Sequence, residues 1–199
     1  MLYWIGYILF TVFSRFFFPR TVIGLENIPA RGSFIIACNH VSNLDPFIVG
    51  ISLIRRVSFV AKEELFKKKF LGFVLAAWGA FPINRGSADF RALREALRRI
   101  KGGRPIVIFP EGTRRVDNST QEPEQGVGFI ARKSGVPVIP AFIDGSDKVL
   151  PPGKKFPQFH PVKLYFGRAV TYSSSDSYPA IAQRIMDSIY ALPPQSEDV

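Results

Sequence analysis

Four short apolar runs rich in β-branched residues, set apart by stretches of helical periodicity, constrain this chain more than any other feature. The runs are Ser33-Phe34-Ile35-Ile36-Ala37-Cys38, Pro105-Ile106-Val107-Ile108-Phe109, Pro137-Val138-Ile139-Pro140-Ala141-Phe142-Ile143 and Val162-Lys163-Leu164-Tyr165-Phe166. Runs of this length bounded by turn residues read as strands. Between them Ser87 can cap a helix whose Phe90, Leu93, Leu97 and Ile100 form one face, and Gly102-Gly103 can end it. Ile181, Ile185, Ile189 and Met186 mark a second amphipathic helix, and Pro193 to Val199 read as a frayed tail. Strands alternating with helices predict an α/β fold: a single domain with a largely parallel mixed sheet covered by helices. A chain of 199 residues suits one such core. Functional loops are then expected at strand ends.

The N-terminus follows another rule. Met1 to Ser14 carry no charge, and eight aromatic residues fall within the first eighteen positions. A bilayer span needs about 20 apolar residues, so the segment is marginal for crossing. It lacks the basic start and small-residue cleavage site of a secretory signal. Tyr3, Tyr7, Thr11 and Ser14 recur at helical spacing as a weakly polar stripe, with Leu2, Ile5, Leu9, Phe13 and Phe16 over much of the remainder. Such a helix is expected to lie in the membrane interface or to dip into one leaflet with its stripe against the protein, an N-terminal helix docked on the core being the alternative. Arg15, Arg20 and Arg31 follow it and favour a cytoplasmic position for what comes after. A similar junction, Lys67-Lys68-Lys69 followed by Phe70 to Trp78, fits a basic membrane-surface segment and a buried helix equally.

Net charge is +10, which points to a polyanionic partner: nucleic acid, an anionic membrane or a phosphorylated substrate. Nucleic-acid binding would interleave basic residues with stacking aromatics. Here the aromatics concentrate in a nearly charge-free run, so no nucleic-acid partner is expected. One cysteine, Cys38, and two histidines, His40 and His160, predict neither an internal disulfide nor a metal site.

Chemistry is expected first at Asn39-His40-Val41-Ser42-Asn43-Leu44-Asp45-Pro46, directly after the first strong strand. A histidine at a strand end with an aspartate five residues on can bring imidazole and carboxylate together. That pair can take a proton from an alcohol attacking an acyl carbon, a service worth about 10²- to 10⁴-fold. With no Gly-x-Ser-x-Gly elbow, the nucleophile would be the substrate's own hydroxyl. Alone, the spacing also fits a structural histidine. After the second strand comes Phe109-Pro110-Glu111-Gly112-Thr113-Arg114-Arg115, where Gly112 permits close approach, Thr113 offers a hydroxyl and Arg114 can grip a phosphate. Gly79-Ala80-Phe81-Pro82-Ile83-Asn84-Arg85 places a further arginine at a strand end.

In order and spacing, Asn39-His40 to Asp45-Pro46, Phe81 to Arg85, Phe109 to Arg114 and Val136 to Pro140 resemble the four blocks of the glycerolipid acyltransferases. They are most similar to the bacterial 1-acyl-glycerol-3-phosphate acyltransferases, from about Gly24 to Leu150. The resemblance implies His40 as general base and Asp45 as its orienting partner. It implies that Asn84, Arg85, Glu111, Gly112, Thr113 and Arg114 hold the phosphorylated acceptor, and that Val138 to Pro140 shape the acyl region. The implied reaction moves a fatty acyl group from acyl-CoA or acyl-acyl carrier protein to the sn-2 hydroxyl of lysophosphatidic acid. It gives phosphatidic acid with no covalent enzyme intermediate and no cofactor beyond the thioester co-substrate. Residues 1–18 would form the membrane-associated helix and 19–199 the acyltransferase domain. Partners would be a membrane phospholipid surface, lysophosphatidic acid and the acyl carrier, and the location the cytoplasmic side of the cell membrane. Glycerol 3-phosphate or another lysophospholipid is the alternative acceptor, and a non-catalytic lipid-binding protein the alternative class. One departure stands out: Glu124-Gln125-Gly126 has no lysine before the glycine where relatives often carry one.

Overall fold

The computed structural model describes residues 2–84, 89–114, 122–151, 154 and 156–192. Helix α1 (Leu2–Phe17) leads into β1 (Arg20–Ile23) and β2 (Ile35–Cys38). Then come α2 (Asp45–Ile51), β3 (Ser58–Lys62), α3 (Glu63–Lys67), α4 (Lys69–Ala77), β4 (Ala80–Ile83), α5 (Phe90–Lys101) and β5 (Ile106–Ile108). The order closes with α6 (Gln125–Ser134), β6 (Val138–Asp144), α7 (Ser146–Val149), β7 (Val162–Phe166) and α8 (Tyr178–Tyr190). The seven described strands form one sheet in the order β1-β7-β6-β2-β5-β3-β4. Neighbours are parallel except β6 and β7, so the sheet is parallel with one reversal, as the apolar runs predict.

Strand β2 shows why those runs lack alternation. Its four residues are all buried, Ile36 and Cys38 in one core and Ile35 and Ala37 in the other. The first core takes Ile48 and Ile51 of α2 and Leu75 of α4; the second takes Ile100 of α5, Ile130 of α6 and Ile185 of α8. Right-handed crossovers explain the division. From β2 the chain moves outward to β3 and β4 with its helices on one face. It then returns through α5 to β5 and through α6 to β6 with its helices on the other. Connections leave β2 and β5 in opposite directions, so a topological switch point lies between their C-terminal ends.

Helix α5 departs from expectation at its start. Ser87 lies outside the described residues, and the cap is Asp89, whose Oδ1 accepts from the amides of Arg91 and Ala92 at 3.0 and 3.1 Å. The buried face is Ala92, Ala96 and Ile100, with Phe90 exposed. Ile181, Ile185, Met186 and Ile189 of α8 are buried as the periodicity predicts. The tail 193–199 lies outside the described residues.

Helix α1 is amphipathic in the inverted sense. Its polar stripe faces the protein: Ser14 is fully buried and accepts a 2.7 Å hydrogen bond from Arg20, while Tyr3 packs on Trp78. Trp4, Ile5, Ile8, Leu9, Val12, Phe13 and Phe16 are exposed. In α4 likewise, Leu75 is buried while Phe70 and Phe73 face outward beside exposed Lys67, Lys68 and Lys69. The buried-helix reading holds for the Leu75 side of α4. Among the described residues no helix is long and apolar enough to cross a membrane.

Candidate active site

Where β2 ends, Asn39 extends its pairing with β6 through the side chain. Nδ2 donates to the Ile143 carbonyl at 2.9 Å, and Oδ1 accepts from the Ile143 amide at 2.7 Å. The chain then turns, placing His40 at the switch point and Asp45 at the first position of α2. Asp45 is fully buried, and its carboxylate is surrounded by donors. Oδ2 meets His40 Nδ1 at 2.9 Å and accepts from the amides of Val41 and Ser42 at 2.8 Å each. Oδ1 accepts from the Ser146 hydroxyl at 2.6 Å. These contacts offset the cost of burying the charge. An ionised carboxylate only accepts, so in the neutral ring Nδ1 carries the proton and Nε2 the lone pair. Phe109 stacks on the imidazole with ring centroids 4.3 Å apart, fixing the ring plane. The result is a largely covered histidine, 7% exposed, whose geometry suits proton abstraction at Nε2.

The neighbouring strand end supplies the second group. Glu111 is buried, and the Tyr190 hydroxyl at the end of α8 donates to its Oε1. Gly112 adopts a left-handed conformation (φ 69°), and a Cβ there would stand 2.8 Å from Glu124 Cγ. Thr113 and Arg114 beyond it are exposed. Burial, then the nearby carboxylates of Asp45 and Glu111, push the Cys38 thiol well above its ordinary value, so it stays protonated and is no thiolate nucleophile.

The third block sits apart. Asn84 follows β4, which β5 and β3 separate from β2, about 14 Å away at normal strand spacing. The Asn84 amide donates to Asp89 Oδ2 at 2.8 Å, the main reason that the Asp89 carboxyl is held below its usual range. Arg85 lies outside the described residues. A cavity of about 440 Å³ opens at this edge, between Phe66, Phe81 and Arg91, and does not include His40.

The model of the Acyltransferase family matches residues 19–144, which hold both strand ends just described. The chain belongs to the Acyltransferase family. Its relatives within the family include the 1-acyl-sn-glycerol-3-phosphate acyltransferase of Bacillus subtilis, 30% identical across 73% of this chain and 71% of that one. The enzyme of the same name from Borreliella burgdorferi is 35% identical across 60% of this chain and 48% of its own length. Against the chloroplastic BAT2 of Brassica napus, also named 1-acyl-sn-glycerol-3-phosphate acyltransferase, identity is 30% across 70% of this chain but only 41% of the relative. The chain thus spans less than half the length of some relatives that it matches. Among solved structures, the 1-acyl-sn-glycerophosphate acyltransferase PlsC of Thermotoga maritima superposes with a TM-score of 0.73. The identity is 29%, over 87% of this chain and 70% of that one.

Sequence reasoning passed over Ser146 and Tyr190, which the fold brings to Asp45 and Glu111 from 101 and 79 positions away. No local pattern marks them. Phe109 opens one of the ordered blocks, but its place against the imidazole depends on β2 and β5 being adjacent.

Proposed function

We propose that this acyltransferase moves a fatty acyl group from a thioester of CoA or acyl carrier protein onto the sn-2 hydroxyl of 1-acyl-sn-glycerol 3-phosphate. The observation that carries the reading is the buried His40–Asp45 pair at the sheet's switch point. His40 Nε2 takes the hydroxyl proton as the oxygen attacks the thioester carbonyl carbon. The tetrahedral intermediate then collapses, the C–S bond breaks, and the thiolate recovers the proton from the imidazolium. Asp45 stabilises that imidazolium. Backbone N–H groups near Gly112 are the candidate donors to the oxyanion. Arg114 and Thr113 supply donors for the phosphate, and Glu111 and Gly112 shape their approach. The family match and the names of the relatives support the acceptor.

The outward apolar face of α1 supports a seat in the membrane interface, where lipid acceptor and product reside. Soluble helices turn such a face inward. Lys67 to Lys69 beside exposed Phe70 fit an anionic leaflet, each lysine adding about 1 kcal/mol. We place the protein on the cytoplasmic side of the cell membrane, bound from one leaflet. Changing Leu9 and Phe16, which are 66% and 70% exposed, together to aspartate will lower partitioning onto anionic vesicles by about a hundredfold or more. Thermal stability in mild detergent will stay close to the parent's; cosedimentation and a melting curve check both.

The reaction is tested with a labelled acyl thioester on anionic vesicles, offering lysophosphatidic acid, lysophosphatidylcholine or glycerol 3-phosphate. Phosphatidic acid is the expected product. Turnover with another acceptor alone would replace the substrate, and no product with any pairing would remove the enzymatic reading.

A further inference from the structure

Two contacts join the start and the end of the His40–Asp45 loop to one short segment elsewhere in the chain. Asn39, just before the histidine, is held by both backbone groups of Ile143. Asp45, which closes the loop, receives the Ser146 hydroxyl at 2.6 Å. The parallel pairing of β2 with β6 sets Cys38 opposite Ala141, so the two chains leave the sheet side by side. Gly145 then makes the turn that aims Ser146 back: its φ is 87°, and a Cβ there would stand 2.7 Å from the Pro161 carbonyl oxygen. Ser146 and Asp45 are both fully buried, which keeps water from replacing the hydroxyl.

We propose that the segment from Ile143 to Ser146 splints the reacting pair, and that Ser146 is a positioning residue acting through Asp45 on the chemical step. The inference rests on the reaction proposed above and adds to it a residue outside the matched positions 19–144. Its physical basis is the two-ended grip on the carboxylate. Oδ2 is shared by His40 and two amides, and those three donors alone let the group pivot about that oxygen. The Ser146 bond at Oδ1 fixes the second end, and so the plane in which His40 Nδ1 meets Oδ2. Without it, a buried carboxylate oxygen loses this donor and the carboxylate turns to find another.

The test uses the full chain in detergent or on vesicles. Ser146→Ala will lower kcat by about ten- to a hundredfold with little change in KM for either substrate, and Ser146→Cys, a weaker donor of similar size, will fall between. On an Asp45→Ala background, Ser146→Ala will cost nothing more. An equal loss on both backgrounds would show a merely structural role and overturn the proposal. The activity-independent readout is the ring ¹⁵N spectrum of His40 at a pH where the imidazole is neutral. With two histidines in the chain, it is assigned by removing His160. The parent will show the Nδ1–H tautomer, and Ser146→Ala a mixture displaced toward that of Asp45→Ala. A parental spectrum together with kcat within twofold of the parent would sink the splint. A parent inactive with every acceptor would remove the proposed reaction, while the tautomer of the variant would still decide whether Ser146 sets the pair.

Discussion

Replacing His40 with alanine will lower turnover in the proposed reaction by about 10²- to 10⁴-fold while leaving the acceptor's KM nearly unchanged, because the role proposed for the group is to handle a proton rather than a ligand. Asp45→Asn will cost less than a change at a serine-protease triad would suggest, and the surrounding donors give the reason. At Oδ2 the group faces the amides of Val41 and Ser42 as well as His40 Nδ1, and an NH₂ there would confront two backbone donors. The asparagine must therefore turn its oxygen to that side and its NH₂ toward Ser146, whose hydroxyl can reverse and accept. The imidazole keeps its Nδ1–H tautomer and loses only the charge that stabilises the imidazolium. The expected drop is about ten- to a hundredfold, smaller than for His40→Ala, with a parental ring ¹⁵N spectrum. Steady-state kinetics and that spectrum check both halves. An Asp45→Asn variant as inactive as His40→Ala with a switched tautomer would show that the amide sits the other way round.

The largest effect on stability is expected at a glycine far from the chemistry. Gly128 lies where α6 crosses α8, and a Cβ there would stand 2.1 Å from the Tyr178 carbonyl oxygen and 3.2 Å from the Ala182 amide nitrogen. Both neighbours are backbone, so relief requires moving α8 as a body. That would open the contacts of Ile181, Ile185 and Ile189 with the sheet. Gly128→Ala is expected to cost about 4 kcal/mol or more, near 10 °C in melting temperature for a chain of this size. Gly126, two residues earlier in the same helix, is the control. A Cβ there meets only the Leu93 Cδ2 atom at 3.4 Å, the end of a movable side chain. Gly126→Ala will be neutral or will stabilise by up to about 1 kcal/mol through helix propensity. Thermal or urea unfolding of the two variants separates backbone crowding from the loss of a flexible residue. Equal melting temperatures would refute the close crossing.

What was legible in the chain follows from which interactions are local. β2, β5 and β6 announce themselves because strands buried on both faces must be largely apolar, and β7 does so by alternation, with Val162, Leu164 and Phe166 buried and Lys163 exposed. β1 escaped notice because it lies at the sheet edge and buries only alternate residues in part, so its Arg20-Thr21-Val22-Ile23 carries no such run. The outward face of α1 was readable since charge and aromatic content need no partner to be seen.

The contact of His40 with Asp45 belongs to the same class. Five positions and a turn suffice to bring the rings and oxygens together, and four ordered blocks suffice to place the chain in its family. The rest depends on chain segments meeting that no local rule relates. That β5 returns to lie beside β2 puts Phe109 on the imidazole and Glu111 at the switch point. That β6 pairs with the other side of β2 brings Ser146 to Asp45, and the packing of α8 brings Tyr190 to Glu111. Serine and tyrosine are common surface residues whose single hydroxyl gains meaning only when burial removes water and a carboxylate arrives. Local pattern thus decided the fold class, the His40–Asp45 contact and the outward apolar face of α1, through periodicities and spacings that the backbone imposes on nearby residues. Tertiary structure alone decided the strand order and the residues that hold the pair in place, since long-range contacts are chosen by the packing of the whole core.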